Sequence, residues 1–277
     1  MDTSSATATA RQAVVRGLRL LERSAGAARR RIDRQEPTGP DGPPGEPAPP
    51  PRSSGAAVGG RYGKLWLPGA ETDAMALILN TSDPEAFEAA GKADAARLSA
   101  YHDDQATVLD LGCGIGRVAT YVAPACRTLW AVDASPRMLE LARHRLAPYP
   151  TVRFARCVDT AMPDVPSGSV DLAYSLLVLQ HLEREDAFLL LEELRRVVAP
   201  GGVVVVTFPN LLSDAYLASF LDYVRGGEVT NPARARMYTP EEVGRILPAA
   251  GFDVELEVDV EILAVCRPRS DGAPSGA

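Results

Sequence analysis

The sequence predicts an α/β protein built on a doubly wound, mostly parallel sheet. Short apolar runs with strand character alternate with longer stretches of helical periodicity between residues 83 and 266. Most of these apolar runs are continuous, as is typical of strands that helices cover on both faces. A glycine-rich turn at residues 112–116 follows the first run, where ligands bind in such sheets. One doubly wound domain explains all three observations.

Local patterns predict the individual elements. The pairs Asp83–Pro84 and Ser135–Pro136 each predict a helix start, because a side-chain oxygen caps free N–H groups and Pro fits the first turn. Thr239 opens a capping box three residues before a Glu, which predicts a further helix. The predicted strands are 106–111, 129–132, 152–155, 170–175, 203–208, 252–258 and 262–266, and the other predicted helices are 84–101, 117–122, 135–146 and 186–198.

Composition divides the chain into four segments. Residues 1–34 carry eight Arg and three acids, with apolar residues at helical spacing, and predict a basic amphipathic helix. Residues 35–60 hold eight Pro and six Gly and predict a disordered linker, because they cannot bury enough apolar surface to order. The globular domain is predicted at 61–268, and a disordered polar tail at 269–277.

Charge and cysteine content exclude several classes of protein. The chain of 277 residues has 29 basic and 36 acidic side chains, and its basic excess is confined to the N-terminal segment. An acidic body argues against nucleic acid as a partner. The four cysteines form no CxxC pair, so we expect no metal site and no disulfide framework.

The N-terminal segment bears on location and partners. Because no apolar run approaches about 20 residues and no secretory signal is present, we expect a cytoplasmic protein without a transmembrane segment. The basic helix could dimerise, touch a membrane surface or a partner protein, or serve only as a tether. The sequence does not define the oligomeric state.

The glycine-rich loop admits two interpretations. Asp110 lies at the end of the first predicted strand, and Gly112, Gly114 and Gly116 follow that strand. Counted from Gly114, with Ala119 in the last place, the loop meets the relaxed dinucleotide-binding pattern. That interpretation leaves Asp110 and Gly112 without a role.

Acids at successive strand ends favour a different ligand. Asp110, Asp133 and Asp159 lie at or after the ends of the first three predicted strands. Asp133 could accept the hydroxyls of a ribose or cap the next helix, and Asp159 could accept an adenine amine or merely form a turn. Three acids suit a cationic or neutral adenosine ligand better than a pyrophosphate, which they would repel.

Over residues 80–266 the chain resembles class I S-adenosylmethionine-dependent methyltransferases. The resemblance lies in the glycine loop, in the segment VDASPRML that starts at Val132, in Asp159, and in the stretches 171–182 and 195–202. It implies a seven-stranded Rossmann-like sheet whose last strand is antiparallel. It also implies S-adenosyl-L-methionine as the cofactor.

The resemblance assigns roles residue by residue. The cofactor's methionine end would face Asp110, Gly112 and Gly114, and Asp133 would hold its ribose. The remaining cofactor-binding residues it implies are Ala134 and Met138 beside the adenine, Asp159 and Thr160 at its edge, and Ser175 near the sulfonium.

His181 is the candidate catalytic residue. It follows the fourth strand, where an imidazole could act as general base or could only anchor the loop. Tyr62 and Trp66 could close over the cofactor or anchor the chain ahead of the domain. The family builds its substrate lid in the stretch that corresponds to 210–238. Here Tyr216, Phe220 and Tyr223 could form one helix face. The arginines Arg225, Arg234 and Arg236 could be solvated or could bind an acidic substrate.

The sequence thus predicts an enzyme that moves a methyl group from S-adenosylmethionine to the oxygen or nitrogen of a small molecule such as a secondary metabolite or sugar. Alternatives are a non-catalytic scaffold that binds the cofactor, a protein-directed methyltransferase, a dinucleotide oxidoreductase and an aminopropyl transferase. The tip of the fourth strand lacks the acids of a metal-assisted reaction and the Pro-Pro-aromatic turn of nucleic-acid methylation.

Overall fold

The computed structural model describes residues 62–227 and 234–269. The predicted helix within 1–34, the predicted linker at 35–60 and the predicted tail beyond Arg269 lie outside the described residues. Within the described ranges, no helix has both the length and the apolar character that a bilayer crossing requires.

Strands and helices alternate along the described chain. The strands are β1 (Thr107–Leu111), β2 (Thr128–Asp133), β3 (Val152–Arg156), β4 (Val170–Ser175), β5 (Val198–Pro209), β6 (Phe252–Val258) and β7 (Glu261–Pro268). The helices are α1 (Glu71–Leu79), α2 (Pro84–Leu98), α3 (Ala119–Val122), α4 (Pro136–Arg145), α5 (Arg184–Val197), α6 (Asp214–Gly226) and α7 (Pro240–Ala249). Two single-turn 3₁₀ helices lie at Ala123–Ala125 and Leu179–His181.

All seven strands form one sheet in the order β3-β2-β1-β4-β5-β7-β6. The pairs from β3 to β5 are parallel, and β7 lies antiparallel between β5 and β6. The predicted doubly wound, mostly parallel sheet with an antiparallel last strand is therefore confirmed. The strand order reverses between β1 and β4, which places the ligand crevice at their carboxyl ends.

Apolar side chains fill both faces of the central strands. Successive residues of β1 point to opposite faces, so Val108 and Leu109 belong to two separate core clusters. Leu109 packs in the cluster that contains Leu191 and Leu194 of α5. Val108 packs in the cluster that contains Leu98 of α2. The double coverage fixes β1 rigidly and so fixes the loop that follows it.

The three helix starts predicted from capping residues are confirmed, whereas the helices predicted at 117–122 and 186–198 begin at Ala119 and Arg184. The Asp83 carboxylate accepts the N–H of the second helical residue at 3.0 Å, and the Ser135 hydroxyl accepts the Met138 N–H at 3.2 Å. Thr239 and Glu242 form the reciprocal bonds of a capping box, at 3.2 and 2.8 Å. Each cap satisfies N–H groups that have no partner within the helix.

β5 begins five residues earlier than the sequence predicts, at Val198 rather than residue 203. Val198 pairs with Val170, and a register shift before Leu172 accommodates the intervening Pro and glycines. A Cβ at Gly202 would lie 2.8 Å from the Asp171 carbonyl oxygen, so only glycine allows this close approach.

Two further differences concern helices. The sequence patterns do not predict α1, although its residues Ala74, Met75 and Leu79 are buried. The predicted face of α6 is wrong at one position: Tyr216 and Tyr223 are buried, but Phe220 is 44% exposed.

Candidate active site

A cavity opens where the strand order reverses, at the carboxyl ends of the central strands. Its space, open mouth included, is about 980 Å³. The sequence analysis gave ten residues a cofactor-binding or catalytic role. Eight of them lie in the cavity wall: Asp110, Gly112, Gly114, Asp133, Ala134, Met138, Asp159 and His181. Thr160 and Ser175 are not in the wall.

Gly112 and Gly114 form the floor of the cavity. Both have left-handed backbone conformations, with φ of 78° and 54°, which glycine adopts without strain. A Cβ at Gly112 would lie 2.3 Å from a Val178 methyl, and one at Gly114 would lie 2.8 Å from Ile78 Cδ1. Glycine is therefore needed at both positions, and the main chain is left open to the cavity.

The Asp133 carboxylate is oriented by two backbone N–H groups. Gly114 donates to its Oδ2 at 2.9 Å and Ser135 donates to its Oδ1 at 2.8 Å. The side-chain cap of α4 is Ser135, so capping this helix does not explain Asp133. Burial raises the pKa of Asp133 to about 6, against the opposing effect of the backbone hydrogen bonds. The carboxylate thus lies in the wall with its position fixed and its remaining lone pairs available.

Asp110 is buried beneath the glycine loop. Burial raises its pKa to about 7, against the opposing effects of the Tyr174 hydroxyl and the Arg117 guanidinium. Arg117 is itself buried, and its Nη1 lies 2.6 Å from Asp94 Oδ2. Because its charge is shared with Asp94, Arg117 only partly compensates Asp110, and protonation of Asp110 is sensitive to pH near neutrality.

Asp159 and Thr160 occupy a tight turn after β3. The backbone groups of Val158 and Ala161 bond to each other at 2.9 and 3.0 Å and close this turn. Asp159 has a φ of 55°, is exposed and reaches the cavity wall. Thr160 lies outside the wall, so the structure brings only the first of the pair to the cavity.

Ser175 ends β4 with its side chain turned into the protein. It is fully buried, and its hydroxyl donates to the Leu111 carbonyl at 3.0 Å. This bond ties the ends of β1 and β4 together at the reversal point. The wall is formed there by the next three residues, of which Leu177 has a strained φ of 64°.

His181 lies at the end of a 3₁₀ turn and faces the cavity. Its ring packs edge-on against Trp66 with centroids 4.8 Å apart, and its Nε2 lies 3.2 Å from Gln180 Nε2. The loop around it is held by Arg236, which donates from its backbone N–H to the Gln180 carbonyl at 2.7 Å and from Nη1 to the His181 carbonyl at 3.1 Å. The ring position is thus fixed from two other parts of the chain.

Arg236 is not a solvated charge. It is 8% exposed, and its Nη2 lies 2.5 Å from Glu183 Oε1. The prediction of surface exposure is therefore wrong for Arg236, which binds the loop that carries His181.

The segment from Tyr62 to Gly69, which we name the strap, crosses one side of the cavity. The Tyr62 hydroxyl accepts the Glu183 N–H at 3.0 Å and donates to the Asp186 carboxylate. The Trp66 carbonyl accepts a hydrogen bond from the Ser135 hydroxyl at 2.5 Å. The hydrogen bonds confirm that these two residues anchor the strap, and both side chains also form part of the cavity wall.

The sequence reasoning missed Leu77 and Ile78 of α1, which complete this side of the wall. Their signal was the apolar run 74–79, which follows Glu71 and Asp73 as acids in a first helical turn.

Comparison with known proteins gives a consistent result. Residues 109–206 match the family model described as a methyltransferase domain. The chain is 34% identical over 176 residues to a trans-aconitate 2-methyltransferase of Methylobacterium radiotolerans, covering 60% of this chain and 63% of that protein. It is 36% identical over 110 residues to a 2-methyl-6-phytyl-1,4-hydroquinone methyltransferase of Synechocystis, covering 39% of this chain and 33% of the relative. The chain thus spans between one third and two thirds of the length of these relatives.

Solved structures share the fold. An O-methyltransferase family protein from Burkholderia thailandensis superposes with a TM-score of 0.54 at 18% identity, covering 68% of this chain and 58% of that one. A SAM-dependent methyltransferase from Aquifex aeolicus superposes with a TM-score of 0.50 at 19% identity, covering 66% and 93%.

The sheet order and the cavity at its reversal point define an α/β domain with a small-molecule site at the strand ends. Residues 109–206 match the methyltransferase domain model, and over this region the chain is similar to the class I S-adenosylmethionine-dependent methyltransferases. This similarity implies S-adenosyl-L-methionine as the cofactor, and it favours this interpretation of the glycine loop over the dinucleotide one.

Proposed function

We propose that this protein transfers the methyl group of S-adenosylmethionine to an oxygen or nitrogen atom of a small molecule. The observation that carries the proposal is the Asp133 carboxylate, which two backbone N–H groups hold in the cavity wall beside a glycine floor. A fixed carboxylate next to bare backbone suits a ribose above the sheet end. The residues of the wall therefore fit the cofactor that the family implies.

The remaining wall residues fit other parts of the same ligand. Asp110 and the two glycines would hold the methionine end, Ala134 and Met138 would flank the adenine, and Asp159 would meet its edge. Thr160 and Ser175 would act through the main chain or through neighbours, because neither side chain reaches the wall. When bound, the cofactor supplies a methyl group on a positively charged sulfur, which is already electrophilic.

The work left to the protein is to orient the acceptor and to accept its proton. Holding two reactants in line can supply up to about 7–11 kcal/mol of the barrier. The strap, α1 and the β4 tip line the part of the cavity where we place the acceptor.

We propose that His181 accepts the proton of the acceptor. Its ring faces the cavity between Trp66 and Gln180. An imidazole can take up a proton from a hydroxyl or amine near neutral pH. The edge-on contact with Trp66 limits rotation of the ring. His181 is accordingly the general base of the proposed reaction.

The names of two relatives support a small acceptor, since trans-aconitate and a phytyl hydroquinone are both small molecules. We propose that the protein acts in the cytoplasm. Cys113, Cys126, Cys157 and Cys266 are all buried free thiols, as is usual in a reducing compartment.

Calorimetric titration with S-adenosylmethionine and its demethylated product tests the site, and transfer of a labelled methyl group to a small-molecule extract tests the reaction. Asp133→Ala should weaken cofactor binding at least tenfold, because each hydrogen bond to a charged group contributes about 1.5–3 kcal/mol. The matched control is Asp164→Ala, an exposed carboxylate outside the cavity wall. Equal affinity in the two variants would remove Asp133 from the site, and absence of labelled product from any extract would contradict the activity.

A further inference from the structure

The cavity wall contains two chemically different groups of side chains. The ends of β1, β2 and β3 carry the carboxylates of Asp110, Asp133 and Asp159. The strap, α1 and the segment after β4 form an apolar side of the wall. Its side chains are almost all apolar, and they include Trp66, Leu77, Ile78, Val178 and Leu182.

The described residues supply little positive charge to this wall. Arg117 is the one Lys or Arg among the described wall residues, and its guanidinium lies 2.6 Å from Asp94. Arg236, which binds the His181 loop, is paired with Glu183 at 2.5 Å. The undescribed stretch 228–233 contains neither Lys nor Arg in its sequence.

An acceptor with several carboxylates would be poorly accommodated in this cavity. Burying a charge against apolar side chains costs several kcal/mol unless a partner charge compensates it. An apolar acceptor loses no comparable hydration and gains contact with the aliphatic and aromatic side chains.

We infer that the acceptor is an uncharged, largely apolar molecule that presents a single hydroxyl or amine to His181. This inference rests on the proposed function and defines its substrate class. It favours chemistry such as that of the hydroquinone relative, by its name, over that of the trans-aconitate relative. Discrimination between the two classes comes from the scarcity of cations among the described wall residues as much as from the apolar contacts.

Binding to protein saturated with the demethylated cofactor, S-adenosylhomocysteine, tests the inference without requiring turnover. The probes are 4-hexylphenol and hexyl-substituted hydroquinone on one side, and trans-aconitate and citrate on the other. We expect the alkyl phenols to bind at least tenfold more tightly than either polycarboxylate. Equal or tighter binding of a polycarboxylate would overturn the inference, and so would failure of both alkyl phenols to bind.

A charge introduced into the apolar side should reverse the preference. Leu77→Arg places a cation in the wall, whereas Leu67→Arg adds the same charge at a 60% exposed position of the strap, outside the wall. We expect Leu77→Arg to tighten trans-aconitate binding at least fivefold and to weaken 4-hexylphenol binding by a similar factor. Leu67→Arg should change neither by more than twofold. Identical behaviour of the two variants, with S-adenosylhomocysteine still bound, would contradict the inference.

The two hypotheses fail in different ways. If the alkyl phenols bind preferentially but no labelled methyl group reaches any acceptor, the proposed activity is wrong and the description of the cavity stands. If labelled methyl groups reach polycarboxylates faster than alkyl phenols, the activity stands and the inferred substrate class is wrong.

Discussion

Arg236 donates a hydrogen bond from its guanidinium to the His181 carbonyl at 3.1 Å, although the two residues are 55 positions apart. The same side chain pairs with Glu183 and donates to the Arg234 carbonyl at 2.9 Å. One arginine thus connects the segment before α7 with the loop after β4. This loop is held at the opposite side by the Tyr62 hydroxyl. The position of the proposed base therefore depends on contacts between three distant parts of the chain.

Replacing this arginine should slow turnover without weakening cofactor binding. In Arg236→Lys, one ammonium group cannot keep the bonds to Glu183 and to both carbonyls, because it lacks the planar fork of a guanidinium. We expect kcat to fall several-fold, the Kd for S-adenosylhomocysteine to stay within twofold, and the free energy of unfolding to fall by about 1–3 kcal/mol. The control Arg267→Lys changes an exposed pair with Glu255 and should alter none of the three. An unchanged kcat in Arg236→Lys would show that the contacts of Arg236 do not position His181.

The glycine floor makes a graded prediction about stability. Gly112→Ala places a Cβ on a residue with a left-handed φ and also creates a clash with Val178. Gly168→Ala places a Cβ on a residue with a left-handed φ of 61°, but in open space. We expect the free energy of unfolding to fall by about 1–2 kcal/mol for Gly168→Ala from backbone strain alone. Gly112→Ala should cost a further 1–3 kcal/mol, roughly the cost of overpacking.

Gly201→Ala provides the baseline for this series, because nothing lies within 4 Å of a Cβ there and its φ is not left-handed. Its free energy of unfolding should change by less than about 0.5 kcal/mol. Urea denaturation of all three variants measures the series. Equal losses at positions 112 and 168 would mean that the contact with Val178 relaxes at no cost.

How much the sequence predicts depends on the range of the contacts involved. Asp133 and the glycines could be placed because strand ends, turns and caps are encoded within a few residues. The positions of Arg236 and the strap could not be predicted, because their partners are far away in the sequence. Glu183 is 53 positions from Arg236, and Asp186 is 124 positions from Tyr62. Ser175 shows the same limit: its position at the end of β4 was predictable, but the direction of its hydroxyl depends on the Leu111 carbonyl of another strand.

Asp110 should make the stability of the protein fall as the pH rises. Its pKa is about 7 in the folded protein and near the ordinary 3.8 when unfolded, so the folded state retains a proton that the unfolded chain has lost. The stabilisation is complete below about pH 4 and is lost as the pH rises to about 7, with a slope of at most about 1.4 kcal/mol per pH unit.

Comparison with Asp110→Asn isolates this effect from other titrating groups, because the amide does not ionise. Urea denaturation between pH 5 and pH 8 should show the wild type losing stability relative to the variant as the pH rises. Parallel dependence on pH in the two proteins would mean that Asp110 has an ordinary pKa in the folded state.

His181 distinguishes catalysis from anchoring through two substitutions. Its carbonyl accepts from Arg236 whatever the side chain, so the loop should stay attached in both variants. If the imidazole accepts the proton of the acceptor, His181→Ala and His181→Asn should each lower kcat by about 10²–10⁴ and remove the acidic limb of the pH–rate profile. Binding of S-adenosylhomocysteine should be unchanged within twofold. A side chain that only anchored the loop would behave otherwise: Asn, whose amide oxygen can accept a hydrogen bond from Gln180 Nε2, would restore most of the rate that Ala loses, and the acidic limb would persist in both variants.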